Sequence, residues 1–147
     1  MANQQIINIG TLPNDGEGDP LRVAFAKINN NFSNLFATAV SESTANTTGN
    51  VAGQVIFETL ANTFTNGQFT VYTSNNANTL NSQSIQINAQ LSPDKSTVSF
   101  SGFGTTILGT PLVTYNMDVL DGNVRLLINP LVNDELTHLV GSQTLQG

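Results

Sequence analysis

The sequence predicts a mainly β protein, an antiparallel β-sandwich preceded by an N-terminal arm and a single short α-helix. Three observations carry that expectation. After residue 51, apolar and polar residues alternate in short runs, as at Ile85, Ile87, Ala89 and Leu91, or Val113, Tyr115, Met117 and Val119. Turn formers separate these runs, above all Asp121-Gly122, a pair suited to closing a two-residue hairpin. Before residue 40, one stretch has the helical period instead.

The chain opens on a polar, strand-like lead-in, Gln5-Ile6-Ile7-Asn8-Ile9, and a turn-rich stretch over 10–18. A helix is expected next, with Asp19 as its N-cap and Pro20 at the first helical position, where a missing N–H costs nothing. Its apolar residues are Leu21, Phe25, Ile28, Phe32, Leu35 and Ala39, in alternating steps of four and three that draw a heptad seam. Arg22, Lys27, Asn30, Asn31 and Asn34 are assigned to the opposite face. Such a helix either packs on its own sandwich or joins identical neighbours or a partner's helices, and the narrow ridge favours joining. A helix this short needs further contacts to hold, and large Phe residues in the seam suit a wider bundle better than a two-stranded coil.

Residues 40–50 are small, polar and without period, and read as a linker. Strands are expected at 54–60, 68–73, 83–91, 97–103, 112–119 and 123–129, with a weaker one at 136–140. Asn66-Gly67 and Ser92-Pro93-Asp94-Lys95 serve as further turns. The expected organisation is therefore an attachment arm and oligomerisation helix over 1–39, a linker over 40–50 and the sandwich over 51–147.

Composition narrows the function. The 147 residues are only 10% charged, well below the usual quarter or so of a soluble domain. Asn, Thr, Ser and Gln take the place of charge, which suits a chain packed against partners. A net charge of −6, with Arg22, Lys27, Lys95 and Arg125 as its cations, argues against binding nucleic acid or an anionic membrane. Cysteine is absent, which excludes disulfides and thiolate metal sites. No apolar run reaches the roughly 18 residues of a membrane span, and residues 1–10 lack the pattern of a signal peptide.

Catalytic patterns are missing as well. His138 is the sole histidine and has no second His or Cys to share a site, so a structural or merely exposed role is expected. No Gly-x-Ser-x-Gly elbow and no phosphate-cradling glycine loop occurs. Asn14-Asp15-Gly16-Glu17-Gly18-Asp19 partly matches a calcium loop, but the later bidentate Glu is lacking. Asp15-Gly16 as a turn and Asp19 as a cap account for it. Asp118, Asp121, Asp134 and Glu135 read as solvated, and Arg125 as a charge on the sheet surface. No cofactor or metal is expected.

The stretch from Ile7-Asn8-Ile9-Gly10 through Asn14-Asp15-Gly16-Glu17-Gly18-Asp19, Leu21-Arg22 and Lys27-Ile28-Asn29-Asn30-Asn31-Phe32 resembles an N-terminal segment of tail and baseplate proteins of T4-like phages and cyanophages. That segment covers about 30 residues. In that family it anchors trimeric fibre or baseplate subunits to the particle. By this resemblance Leu21, Phe25, Ile28 and Phe32 form the seam between subunits, the residues the heptad pattern also selects, together with Leu35. The runs 97–112 and 122–130, with Phe103-Gly104-Thr105 and Gly122-Asn123-Val124-Arg125-Leu126, are similar to β-domains of cyanophage virion proteins. The resemblance implies a non-enzymatic virion subunit of a tail, baseplate or fibre adaptor, trimeric, with other virion proteins as partners and assembly in the host cytoplasm. A capsid decoration or head-fibre subunit is the alternative. A host-glycan module fits less well, since there is no Trp and Tyr72 and Tyr115 are the only tyrosines.

Overall fold

A computed structural model of the chain describes residues 4–38 and 41–145, which form two compact units, one within 1–39 and the other within 40–147. Ala39, expected at the end of the seam, lies outside the described residues.

The second unit is the expected antiparallel sandwich. Eight strands are described: β1 (Ser41–Thr47), β2 (Gln54–Leu60), β3 (Asn66–Asn75), β4 (Ser82–Leu91), β5 (Val98–Leu108), β6 (Val113–Leu120), β7 (Asn123–Pro130) and β8 (Leu136–Leu145). They form a five-stranded sheet in the order β1-β8-β3-β4-β5 and a three-stranded sheet in the order β2-β7-β6. Period-two patterning does the positioning. In β3, Phe69, Val71, Thr73 and Asn75 are buried while Gln68, Thr70 and Tyr72 face outward. With these, Ile56, Ile87, Leu112, Val124, Leu126, Ile128, Leu136 and Val140 from both sheets and their connections complete one core. Within it the Phe69 ring stacks on Phe64 at 6.4 Å and meets Phe57 edge-on at 5.2 Å.

Asp121 and Gly122 both have positive φ, 50° and 77°, which matches a two-residue primed turn between β6 and β7. Ser92-Pro93-Asp94-Lys95 also turns the chain, with the Lys95 N–H donating to the Ser92 carbonyl at 2.9 Å.

Two sequence expectations fail here. The segment expected as a linker is β1, paired with β8 from Ser41 opposite Ser142 to Thr47 opposite Leu136. An edge strand buries little, so β1 shows no alternation to read; only Thr47 is fully buried. Asn66-Gly67 is not a turn but the first rung of β3; the bend precedes it as a short 3-10 turn, Ala61–Thr63. Gly67 is needed for another reason, because a Cβ there would sit 2.7 Å from the Phe64 ring.

The first unit holds one helix, α1 (Leu21–Thr38), and the arm before it. The lead-in residues 5–9 join no sheet.

Candidate functional site

The sequence picked out two groups of residues in the first unit, the seam and the acidic turn. The turn is a knot tied by Asp15. Its carboxylate accepts the N–H groups of Thr11 and Leu12 at 2.7 Å each and of Glu17 at 2.9 Å. These bonds hold the Asp15 carboxyl below its ordinary pKa, Leu12 contributing most. Gly10 is required beside the knot, since its φ is 78° and a Cβ would lie 2.6 Å from Asp15 Oδ1. Gly16 also takes a positive φ, 72°. The Asn8 side chain closes the loop, donating to the Glu17 carbonyl at 2.8 Å and accepting from the Gly10 N–H at 3.0 Å.

Asp19 is not the helix cap. The Pro20 carbonyl accepts the Ala24 N–H at 3.0 Å, which puts Pro20 at the cap position rather than inside the first turn. The Asp19 carboxylate turns back to the arm instead, accepting the Asn8 N–H at 2.9 Å and the Lys27 ammonium at 2.6 Å, while its own N–H donates to the Asn8 carbonyl at 2.7 Å. The Lys27 bond first, then the Asn8 N–H, lowers its pKa. The competing partner won because a backbone segment with unmet hydrogen bonds lies within reach.

Lys27 and Asn31 then clasp the lead-in along the helix. Lys27 Nζ also donates to the Ile6 carbonyl at 3.0 Å. The Asn31 side-chain amide accepts the Gln5 N–H at 2.8 Å and donates to the Gln5 carbonyl at 2.9 Å, pairing with it as a neighbouring strand would. These side chains are not opposite the seam: at 3.6 residues per turn they lie about 100° from it. That offset half-buries Ile28 at the border and leaves Leu21, Phe25, Phe32 and Leu35 exposed.

Leu21 is 72% exposed, Phe25 55%, Phe32 56% and Leu35 62%. Ile6, Ile9 and Leu12 of the arm are also exposed. No residue from 4 to 35 is fully buried. The unit is thus a polar frame carrying an apolar surface. What the frame can do chemically is hold that surface in shape and offer it to another apolar surface.

In the second unit His138 is fully buried, with Nε2 2.8 Å from Thr47 Oγ1 and Nδ1 2.8 Å from Thr73 Oγ1. Burial lowers its pKa to about 4. The Thr73 hydroxyl lies 3.4 Å from the Tyr115 hydroxyl, to which Gln83 Nε2 donates at 3.2 Å. Asp118, read as solvated, is paired with Arg125 through a two-point contact, Nε donating at 2.7 Å. Asp134 accepts from Asn75 at 2.8 Å and Glu135 from Asn76 at 3.3 Å. Among the described residues no three His, Cys, Asp or Glu side chains converge as metal ligands.

No protein-family model and no curated relative matches the chain. Among solved structures it is similar to the tailspike protein of Acinetobacter baumannii phage AM24, at a TM-score of 0.46 and 10% identity, over 76% of this chain and 27% of that one. The chain spans about a quarter of the tailspike's length.

Proposed function

We propose that this chain is a structural subunit of a tailed-phage virion, placed in the tail or tail-proximal region, that assembles as a homotrimer through its N-terminal arm and helix and catalyses no reaction. One observation carries the reading: the first unit is ordered by polar bonds yet leaves Leu21, Phe25, Phe32 and Leu35 more than half exposed. With no residue from 4 to 35 buried, the described part of the segment has no core to stabilise it, so its apolar ridge calls for partners. Burying the seam contributes on the order of 10 kcal/mol per chain, from which the ordering of arm and subunits subtracts a large part.

The resemblance to phage tail and baseplate segments supports the virion assignment. The residues that carry it also build the frame: Asn8, Asp15, Asp19, Lys27 and Asn31 make its bonds. Identical copies supply matching heptad seams, and the Phe side chains favour a bundle wider than two helices.

Light scattering on the intact chain and on a Phe25→Asp, Phe32→Asp variant tests the joint. The intact chain is expected at three times the chain mass, and the variant at single-chain mass with an unchanged sandwich spectrum. A variant that keeps the mass of the intact assembly overturns the ridge as the joint. Locating the chain in a density map of the whole particle tests the placement.

A further inference from the structure

The two sides of the sandwich differ. On one, β1 lies against β2, and each of these edge strands carries an exposed carboxylate, Glu42 and Glu58. On the other, β5 lies against β6. No charged residue occurs from Val98 to Leu108, and the one charge on β6, Asp118, is matched by Arg125. Long uncharged edges are templates for pairing, and charged residues are the usual guard against it. One side of this molecule is guarded and the other is open.

The open side also lacks cover. The inner faces of β4 and β5 and the start of β6 border an open groove of about 320 Å³. Ile85, Phe100, Gly102, Ile107, Val113 and Tyr115 line it, and no charged side chain does. The first residues of β6, Val113 to Tyr115, border this groove. At its first rung Gln83 stands in for a missing strand, donating to the Val113 carbonyl at 3.0 Å and accepting the N–H groups of Leu112 at 2.7 Å and Val113 at 3.2 Å. Alternate residues of an antiparallel strand turn their peptide groups the same way. Those of Tyr115, Met117 and Val119 therefore follow Val113 to the free edge, where no strand among those described pairs with them.

We propose that β5 of a second copy of this chain docks beside β6, pairing with these peptide groups and covering the groove with its apolar face. The occupant must be extended, uncharged and apolar on one side. The chain supplies such a strand at the same open side: its register with β4 puts Phe100 and Ile107 on the inner face, while Phe103 and Leu108 stand on the outer one. Each copy gives one β5 and receives another, so both open edges close together. This joint rests on assembly through the helix ridge, which raises the local concentration of neighbouring β5 strands.

Residue-resolved hydrogen exchange tests it on three full-length proteins: the intact chain, the Phe25→Asp, Phe32→Asp variant, and a Thr105→Lys, Ile107→Lys variant whose ridge is untouched. In the intact assembly the Tyr115, Met117 and Val119 amides are expected to exchange about 100-fold more slowly than in the ridge variant. In the β5 variant they become fast while the mass stays that of the assembly. The Leu112 amide, held by Gln83, stays slow in all three and reports that the sandwich is folded. Equal rates in the intact chain and a monomeric ridge variant overturn the joint, as do slow amides in the β5 variant. A ridge variant that remains assembled with the three amides slow supports this joint and counts against the ridge alone.

Discussion

At the scale of the residue, the sandwich is tuned around His138. Its two ring nitrogens are taken by Thr47 and Thr73, so it ties edge strand β1 to the centre of the sheet. Burial lowers its folded pKa to about 4, while in the unfolded chain it titrates near its ordinary value of 6.5. Above that value both states are neutral and the fold is fully stable. As pH falls from 6.5 towards 4 the unfolded chain binds a proton that the fold refuses, and stability is lost across that window. The loss approaches about 3 kcal/mol, from 1.4 kcal/mol per tenfold change. The lowered carboxyls Asp94 and Asp118 act below this window, because their ordinary value is 3.8. Urea midpoints between pH 7 and pH 4.5 should therefore fall steeply in the native chain and much less in His138→Gln. A flat native profile would mean that the imidazole is not shielded. The sequence showed that no second His or Cys accompanies His138, but not the two threonines, which lie 91 and 65 residues away. The same limit hid the clasp. Lys27 and Asn31 were legible as polar helix residues, yet a side chain bonded to a distant backbone leaves no periodic trace.

At the scale of the element, legibility followed burial pattern. Strands with one face in the core announced themselves by alternation, and β2 begins and ends where the pattern placed it, Gln54–Leu60. The others gained a residue or more at one end or both, β5 and β6 also starting one residue later than expected; β8 runs on to Leu145. Strand β1 was missed altogether because its Ser, Thr and Asn residues sit at an edge. Its contribution can still be measured. A chain beginning at Gly49 should unfold at lower urea than one beginning at Val40, because it loses the β8 ladder and leaves His138 Nε2 without Thr47. Equal midpoints would mean that β1 is only laid on the sheet. The hairpin tests turn chemistry in the same way. Gly122 has a φ of 77° and nothing within 4 Å of an added Cβ, so Gly122→Ala should cost about 1–2 kcal/mol from backbone strain alone. Loss of that order in thermal unfolding, with core packing unchanged, is the expected result.

At the scale of the whole molecule, the two units are held by different physics. The sandwich has a continuous core from Ile56 to Val140 and every buried side-chain polar atom described has a partner. The first unit shows no such core among its described residues: its bonds are mostly exposed, each worth only about 1 kcal/mol in water, and a lone helix of 18 residues is marginal. On the proposed reading, its order depends on whatever covers the ridge. If identical copies do so, the helix melts in a transition whose midpoint rises with protein concentration, while the sandwich melts at a midpoint set by its own core. Helical circular dichroism followed on heating at several concentrations separates the two. The Phe25→Asp, Phe32→Asp variant should show little helical signal at any concentration and keep the β signal. A helix transition independent of concentration, retained in that variant, would place the stability of the first unit within the single chain and remove the physical reason for its assembly.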